Sequence, residues 1–152
     1  MRHNFYPKCW PVLCWLAFAG LTQQTVGAPA PERWTASWIS HPTAPLREPL
    51  VLHFRKSLQL AAKPDRYIVH VSADNRFVFY VNGHRAGDGP ARGDLAHWRY
   101  ETFDLSQYLV QGSNFVTATV WNYGIYAPVA QITERAAFLV QGDGASLRTA
   151  VC

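Results

Sequence analysis

A two-residue alternation, recurring along the chain with no helical period between its occurrences, constrains this sequence most. Leu50, Leu52, Phe54, Leu58 and Leu60 share one parity, broken only by Lys56, while His53, Arg55, Ser57 and Gln59 take the other. Tyr67, Val69 and Val71 alternate with Arg66, His70 and Ser72. Phe77, Phe79 and Val81 stand against Arg76, Val78 and Tyr80, and Val116, Ala118 and Val120 against Phe115, Thr117, Thr119 and Trp121. Period two marks a strand with one face buried and one solvated, as in antiparallel sheets. His53 and His70 fall on the polar parity, so both are expected in solvent.

The punctuation between these runs agrees. Asn82-Gly83 is a strong hairpin signal, because a type I′ turn requires φ > 0 at both central residues. A short return strand from His84 to Ala86 should follow, and then an irregular loop over 87–94 (GDGPARGD). Residues 98–103 are aromatic and β-prone. Residues 104–109 read as one helical turn, with Asp104 or Ser106 as its cap and Gly112 as its stop. Residues 136–141 and 147–151 are the last strand candidates. Seven or eight short strands with turn signals predict an all-β sandwich, with a galactose-binding-like jelly roll as the expected form.

The ends of the chain are read differently. Arg2 and Lys8 precede an apolar run over residues 9–21, and Val26-Gly27-Ala28 supplies small residues, the layout of a secretory signal peptide. That run is shorter than the roughly 20 apolar residues that span a bilayer. The expected organisation is a signal over 1–28, a Pro-containing linker over 29–33 and a sandwich over 34–152, secreted or periplasmic. Cleavage would discard Arg2 and Lys8 and lower the formal net charge from +4 to +2. It would also discard Cys9 and Cys14, leaving only Cys152, so neither an internal disulfide nor a Cys-based zinc site is expected. Pro11-Val12-Leu13 before Cys14 lacks the small residue a lipid anchor needs. No nucleic-acid partner, and no membrane contact after cleavage, is expected. Neither a multidomain enzyme nor a (β/α)₈ barrel of about 250 residues fits this length.

Chemistry-bearing patterns are sparse. There is no serine nucleophile elbow, HExxH, P-loop or EF-hand loop, and no histidine pair at ligand spacing, so no metal or cofactor is expected. Asp88, Asp94, Glu101 and Asp104 lie close in sequence, and glycosidase chemistry needs two carboxyl groups about 5–10 Å apart. Loop positions and capping roles account for these four more simply, and no catalytic residue is assigned. Arg92-Gly93-Asp94 spells an adhesion tripeptide, a match too short to carry an assignment. The aromatic residues are more informative. Trp98, Tyr100, Trp121, Tyr123 and Tyr126 fall near polar Asn122, Arg92 and Asp94. Sugar rings stack their C–H faces on aromatic planes while polar neighbours bond the hydroxyls. The candidate ligand-binding residues are therefore Arg92, Asp94, Trp98, Tyr100, Trp121 and Asn122. The competing reading has Trp98 and Trp121 filling a core or an interdomain face.

The succession Ser72-Ala73-Asp74-Asn75-Arg76-Phe77, Phe79-Tyr80-Val81-Asn82-Gly83 and Gly89-Pro90-Ala91-Arg92-Gly93-Asp94 continues through Trp98-Arg99-Tyr100, Phe103-Asp104-Leu105 and Tyr108-Leu109. Gly112-Ser113-Asn114 and Val120-Trp121-Asn122 complete it. In this order, with Trp34-Thr35-Ala36-Ser37-Trp38-Ile39 and Phe54-Arg55-Lys56 before it, the chain resembles the N-terminal β-sandwich of bacterial α-L-rhamnosidase-type glycoside hydrolases (family 78 and its relatives) over residues 34–141. The resemblance implies a galactose-binding-like jelly roll that precedes further β domains and a helical-barrel catalytic domain. The catalytic acid and base belong to that barrel, so no residue here inherits a catalytic role. Three functions are expected in order: an accessory module of a secreted rhamnosidase, packing on its other domains and contacting a rhamnose-containing glycan; a stand-alone carbohydrate-binding module; and, distantly, a small glycoside hydrolase. The sequence stops near the end of the resemblance, which suits a truncated product, a fragment or a stand-alone module.

Overall fold

The structure, a computed structural model, describes residues 33–46, 48–129, 131, 133–142 and 147–150. The expected signal peptide, the linker up to residue 32 and Cys152 lie outside the described residues. Seven strands form: β1 (Leu50–Leu60), β2 (Ile68–Ala73), β3 (Arg76–Val81), β4 (His84–Gly89), β5 (Glu101–Asp104), β6 (Gly112–Asn122) and β7 (Phe138–Gly142). A four-stranded sheet in the order β1-β6-β3-β4 faces a three-stranded sheet in the order β5-β2-β7, and every pairing is antiparallel. Among these strands only the β3–β4 connection stays within one sheet; each of the others crosses between layers, as in a jelly roll. The fold is an all-β sandwich.

The alternation places the core where the sequence expects it. Phe77, Phe79 and Val81 of β3 and Val116, Ala118 and Val120 of β6 point into the space between the sheets and meet Val69, Val71, Phe138 and Val140 from the other layer. Phe103 joins them by stacking on Phe79 at 6.3 Å between centroids. Asn82 (φ 50°) and Gly83 (φ 83°) form the expected type I′ turn. The return strand is longer than expected and takes in Gly87-Asp88-Gly89. Its register slips between Phe79 and Tyr80, where Ala86 is the extra residue of a β-bulge. The helical turn after β5 is a single turn in which the Leu105 carbonyl accepts from the Tyr108 and Leu109 amides. Asp104 caps it through the Ser106 amide at 3.0 Å, and these contacts hold the Asp104 carboxyl below the usual carboxylate range.

His70 departs from expectation. It is buried, not solvated. The outer face of β2 is covered by Trp34 and Tyr100, whose rings lie 6.0 and 5.5 Å from the imidazole, and Thr102 Oγ1 sits 2.9 Å from His70 Nδ1. Gln141 fixes the segment that brings Trp34 there: its Oε1 accepts from the Thr35 and Ala36 amides, and its Nε2 donates to the Arg33 carbonyl. His53 is exposed, as expected.

Candidate functional site

At one end of the sandwich, the segment before β1, the β4–β5 connection and the β6–β7 connection converge on the β2–β3 turn, Asp74-Asn75. Both residues are buried. The Asp74 carboxylate accepts from Asn122 Nδ2, Thr133 Oγ1 and the Glu134 amide. Burial is the largest influence on this carboxyl and pushes its pKa up, although these hydrogen bonds favour the charged form. Asn75 Oδ1 accepts from the Tyr123 amide at 3.1 Å, and Asn122 Oδ1 from the Gly124 amide at 2.6 Å. The turn thereby fixes both the end of β6 and the 133–137 connection.

Above this anchor lies a groove of about 230 Å³ lined by Trp38, Asp74, Trp98, Glu134, Arg135 and Ala137. The two indoles stand 5.7 Å apart with planes 59° to each other, presenting an aromatic wall. Glu134 and Arg135 are exposed and also line a wider depression of about 520 Å³ with Leu46, Gly124, Ile125 and Thr133. Aromatic planes beside a carboxylate and a guanidinium can stack an apolar ring face while bonding hydroxyls.

The sequence-derived candidates divide among separate places. Trp98, Asn122 and Arg92 belong to this end: Trp98 lines the groove, Asn122 bonds Asp74, and Arg92 lines a small notch with Asp74, Asn75 and Trp98. Asp94 is exposed nearby, but its carboxylate is engaged in its own turn by the Ala96 and His97 amides and His97 Nδ1. The His97 hydrogen bond chiefly holds its pKa below the usual value. Tyr100 belongs to the Trp34–His70 cluster on the three-stranded sheet. Trp121 lies on the outer parity of β6, between Val51 and Arg76, with its indole N–H on Tyr123 Oη at 3.0 Å.

Trp38, Asp74, Glu134 and Arg135 were not among the candidates. Asp74-Asn75 reads in sequence only as a strand break, and nothing local connects residues 38, 98 and 134. The four acidic residues close in sequence, Asp88, Asp94, Glu101 and Asp104, all have structural partners. Asp88 pairs with Arg85 at 3.0 Å, Glu101 Oε1 accepts from the Ala91 amide at 2.9 Å, and Asp94 and Asp104 cap turns. Among the described residues, no three His, Cys, Asp or Glu side chains gather as a metal site would require.

No protein-family model and no curated protein sequence matches the chain. Solved structures do. The family 78 rhamnosidase of Bacillus sp. GL1 superposes with a TM-score of 0.67 at 25% identity, over 77% of this chain and 12% of that one. The α-L-rhamnosidase of Dictyoglomus thermophilum superposes with a TM-score of 0.58 at 22% identity, over 73% of this chain and 14% of that one. The second likeness is one of fold. The chain therefore spans 12–14% of the length of these rhamnosidases.

Proposed function

We propose that this chain is a non-catalytic accessory β-sandwich of an α-L-rhamnosidase-type glycoside hydrolase, exported by the signal of residues 1–28. The observation that carries this reading is the superposition on the Bacillus rhamnosidase, in which most of this chain matches a small fraction of a much larger one. The order of motifs from Ser72 to Asn122 supports it independently. The engagement of Asp88, Asp94, Glu101 and Asp104 in turns and pairs argues against an acid–base couple among them. A direct test deletes the matching segment from an α-L-rhamnosidase and supplies this chain in trans. Recovery of the deleted enzyme's thermal stability is expected. No association with the deleted enzyme would defeat the accessory reading.

A second reading, a free carbohydrate-binding module, is favoured by the Trp38–Trp98 groove. In it Trp98 stacks a sugar face, and Arg92, Glu134 and Arg135 bond hydroxyls of a rhamnose-containing glycan. Calorimetric titration with rhamnose-containing oligosaccharides tests it. Trp98→Ala should remove the heat and Trp121→Ala should leave it, because the two indoles serve separate surfaces.

A further inference from the structure

A crevice opens between the sheets on the side where the two edge strands β1 and β7 approach each other, with Phe54 stacked on Phe138 at 5.2 Å. Open to solvent, it has a volume of about 270 Å³ and is lined in part by buried Phe79, Val116, Ala118 and Val140 with half-buried Ile39 and Phe54. A gap beside apolar side chains forfeits dispersion contacts and costs stability in proportion to its size, so an apolar guest gains by filling it. Small-molecule sites have this character: mostly apolar walls and a few placed polar groups.

Beside Thr117 and Thr149, the charged groups here are cations. Lys56 and Arg148 line the crevice, and no Asp or Glu is among its described lining residues. Lys56 is the one charge on the inward parity of β1, and its ammonium donates to the Arg148 carbonyl over 3.1 Å. Lys56 itself is exposed, and a lysine on an edge strand also blocks edge-to-edge pairing. That role requires no crevice beside it. Arg55 is occupied elsewhere, its guanidinium lying 4.4 Å over the Phe115 ring. Positive charge at an apolar opening, with donors to spare on the ammonium, matches a ligand with an anionic head and a hydrocarbon tail.

We propose that this crevice binds an anionic amphiphile, its acyl chain between the sheets and its carboxylate on Lys56. The site shares no residue with the tryptophan groove and does not rest on the glycan reading.

The test is calorimetric titration of the full chain with decanoate and decyltrimethylammonium below their micellar concentrations and with decanol below its solubility limit. Decanoate should bind best and decyltrimethylammonium worst. Lys56→Met should weaken decanoate roughly tenfold, the worth of one charge-assisted hydrogen bond. Ala118→Leu, which narrows the crevice, should weaken decanoate and decanol alike, with thermal unfolding used to show that both variants fold. Absence of decanoate binding would overturn the proposal. So would binding that both variants leave unchanged, or binding that favours the cationic amphiphile.

Discussion

Asn82 donates from Nδ2 to Asn114 Oδ1 over 2.8 Å, and this bond joins the tip of the β3–β4 hairpin to the start of β6. Asn114 is fully buried, and its amide is saturated. Its Nδ2 donates to the Val110 and Gly112 carbonyls, while its Oδ1 accepts from the Val110 amide as well as from Asn82. Asn82 completes the junction by accepting from the Phe115 amide and donating to the Tyr108 carbonyl. A buried amide with every donor and acceptor satisfied specifies one arrangement and penalises every other.

Asn114→Asp preserves shape and reverses one half of this pattern, turning an oxygen toward two carbonyls. The variant should lose about 2 kcal/mol or more at neutral pH, since a buried charge faces acceptors. Burial and the facing carbonyls raise the new carboxyl's pKa. Its penalty should therefore shrink as pH falls through that raised value. Denaturant unfolding at neutral and mildly acidic pH measures both effects, and a pH-independent loss would contradict the account.

Gly83→Val isolates the backbone demand of the hairpin. A Cβ at Gly83 meets nothing within 4 Å, so the cost is conformational, not steric crowding. Holding a β-branched residue at φ near 83° should destabilise the chain by roughly 1–2 kcal/mol. Equal denaturation midpoints for variant and parent would remove the type I′ turn from the description.

Gly87 has the opposite problem. An added Cβ would fall 2.2 Å from Phe103 Cε1, so the ring must move out of its stack with Phe79. Gly87→Ala should cost about 1–3 kcal/mol by overpacking. Pairing it with Phe103→Leu should recover part of that loss, and a double-mutant cycle reads the coupling.

These cases mark what the sequence discloses. Alternation assigns a residue to a face, which located Phe77, Phe79, Val116 and Val120 in the core. It does not say what covers the other face, and so His70 reads as solvated although Trp34 arrives from far along the chain to bury it. Asn-Gly announced its turn because the φ requirement is local, whereas the bulge at Ala86 depends on cross-strand register. Of the residues that line the groove, the sequence offers only Trp98 as a candidate, for the same reason. Trp98 and Arg92 share the β4–β5 connection, while Trp38 precedes β1, Asp74 lies in the β2–β3 turn, and Asn122, Glu134 and Arg135 come from the end of β6 and the connection after it.

Asp74 gives the anchor a pH signature of defined sign. Its folded pKa is raised above the ordinary carboxylate value, mainly by burial, so the folded state holds this proton more tightly than the unfolded chain. Its proton-linked contribution is fully present below the unfolded pKa of about 3.9 and is lost as pH rises through the folded value. Asp104 runs the other way. Its pKa is lowered, chiefly by the Ser106 amide, so its contribution is present above the unfolded value and lost as pH falls through the folded one. Asp74→Asn turns an amide nitrogen toward the donors at Asn122, Thr133 or Glu134 and should cost roughly 1–3 kcal/mol. That cost should be largest in acid and diminish as pH rises. The cost of Asp104→Asn should instead diminish as pH falls. Unfolding free energies of the parent and both variants across the acidic range test the two slopes together. Parallel slopes for the two variants would mean that burial does not govern Asp74, and the account of the groove's anchor would fall with it.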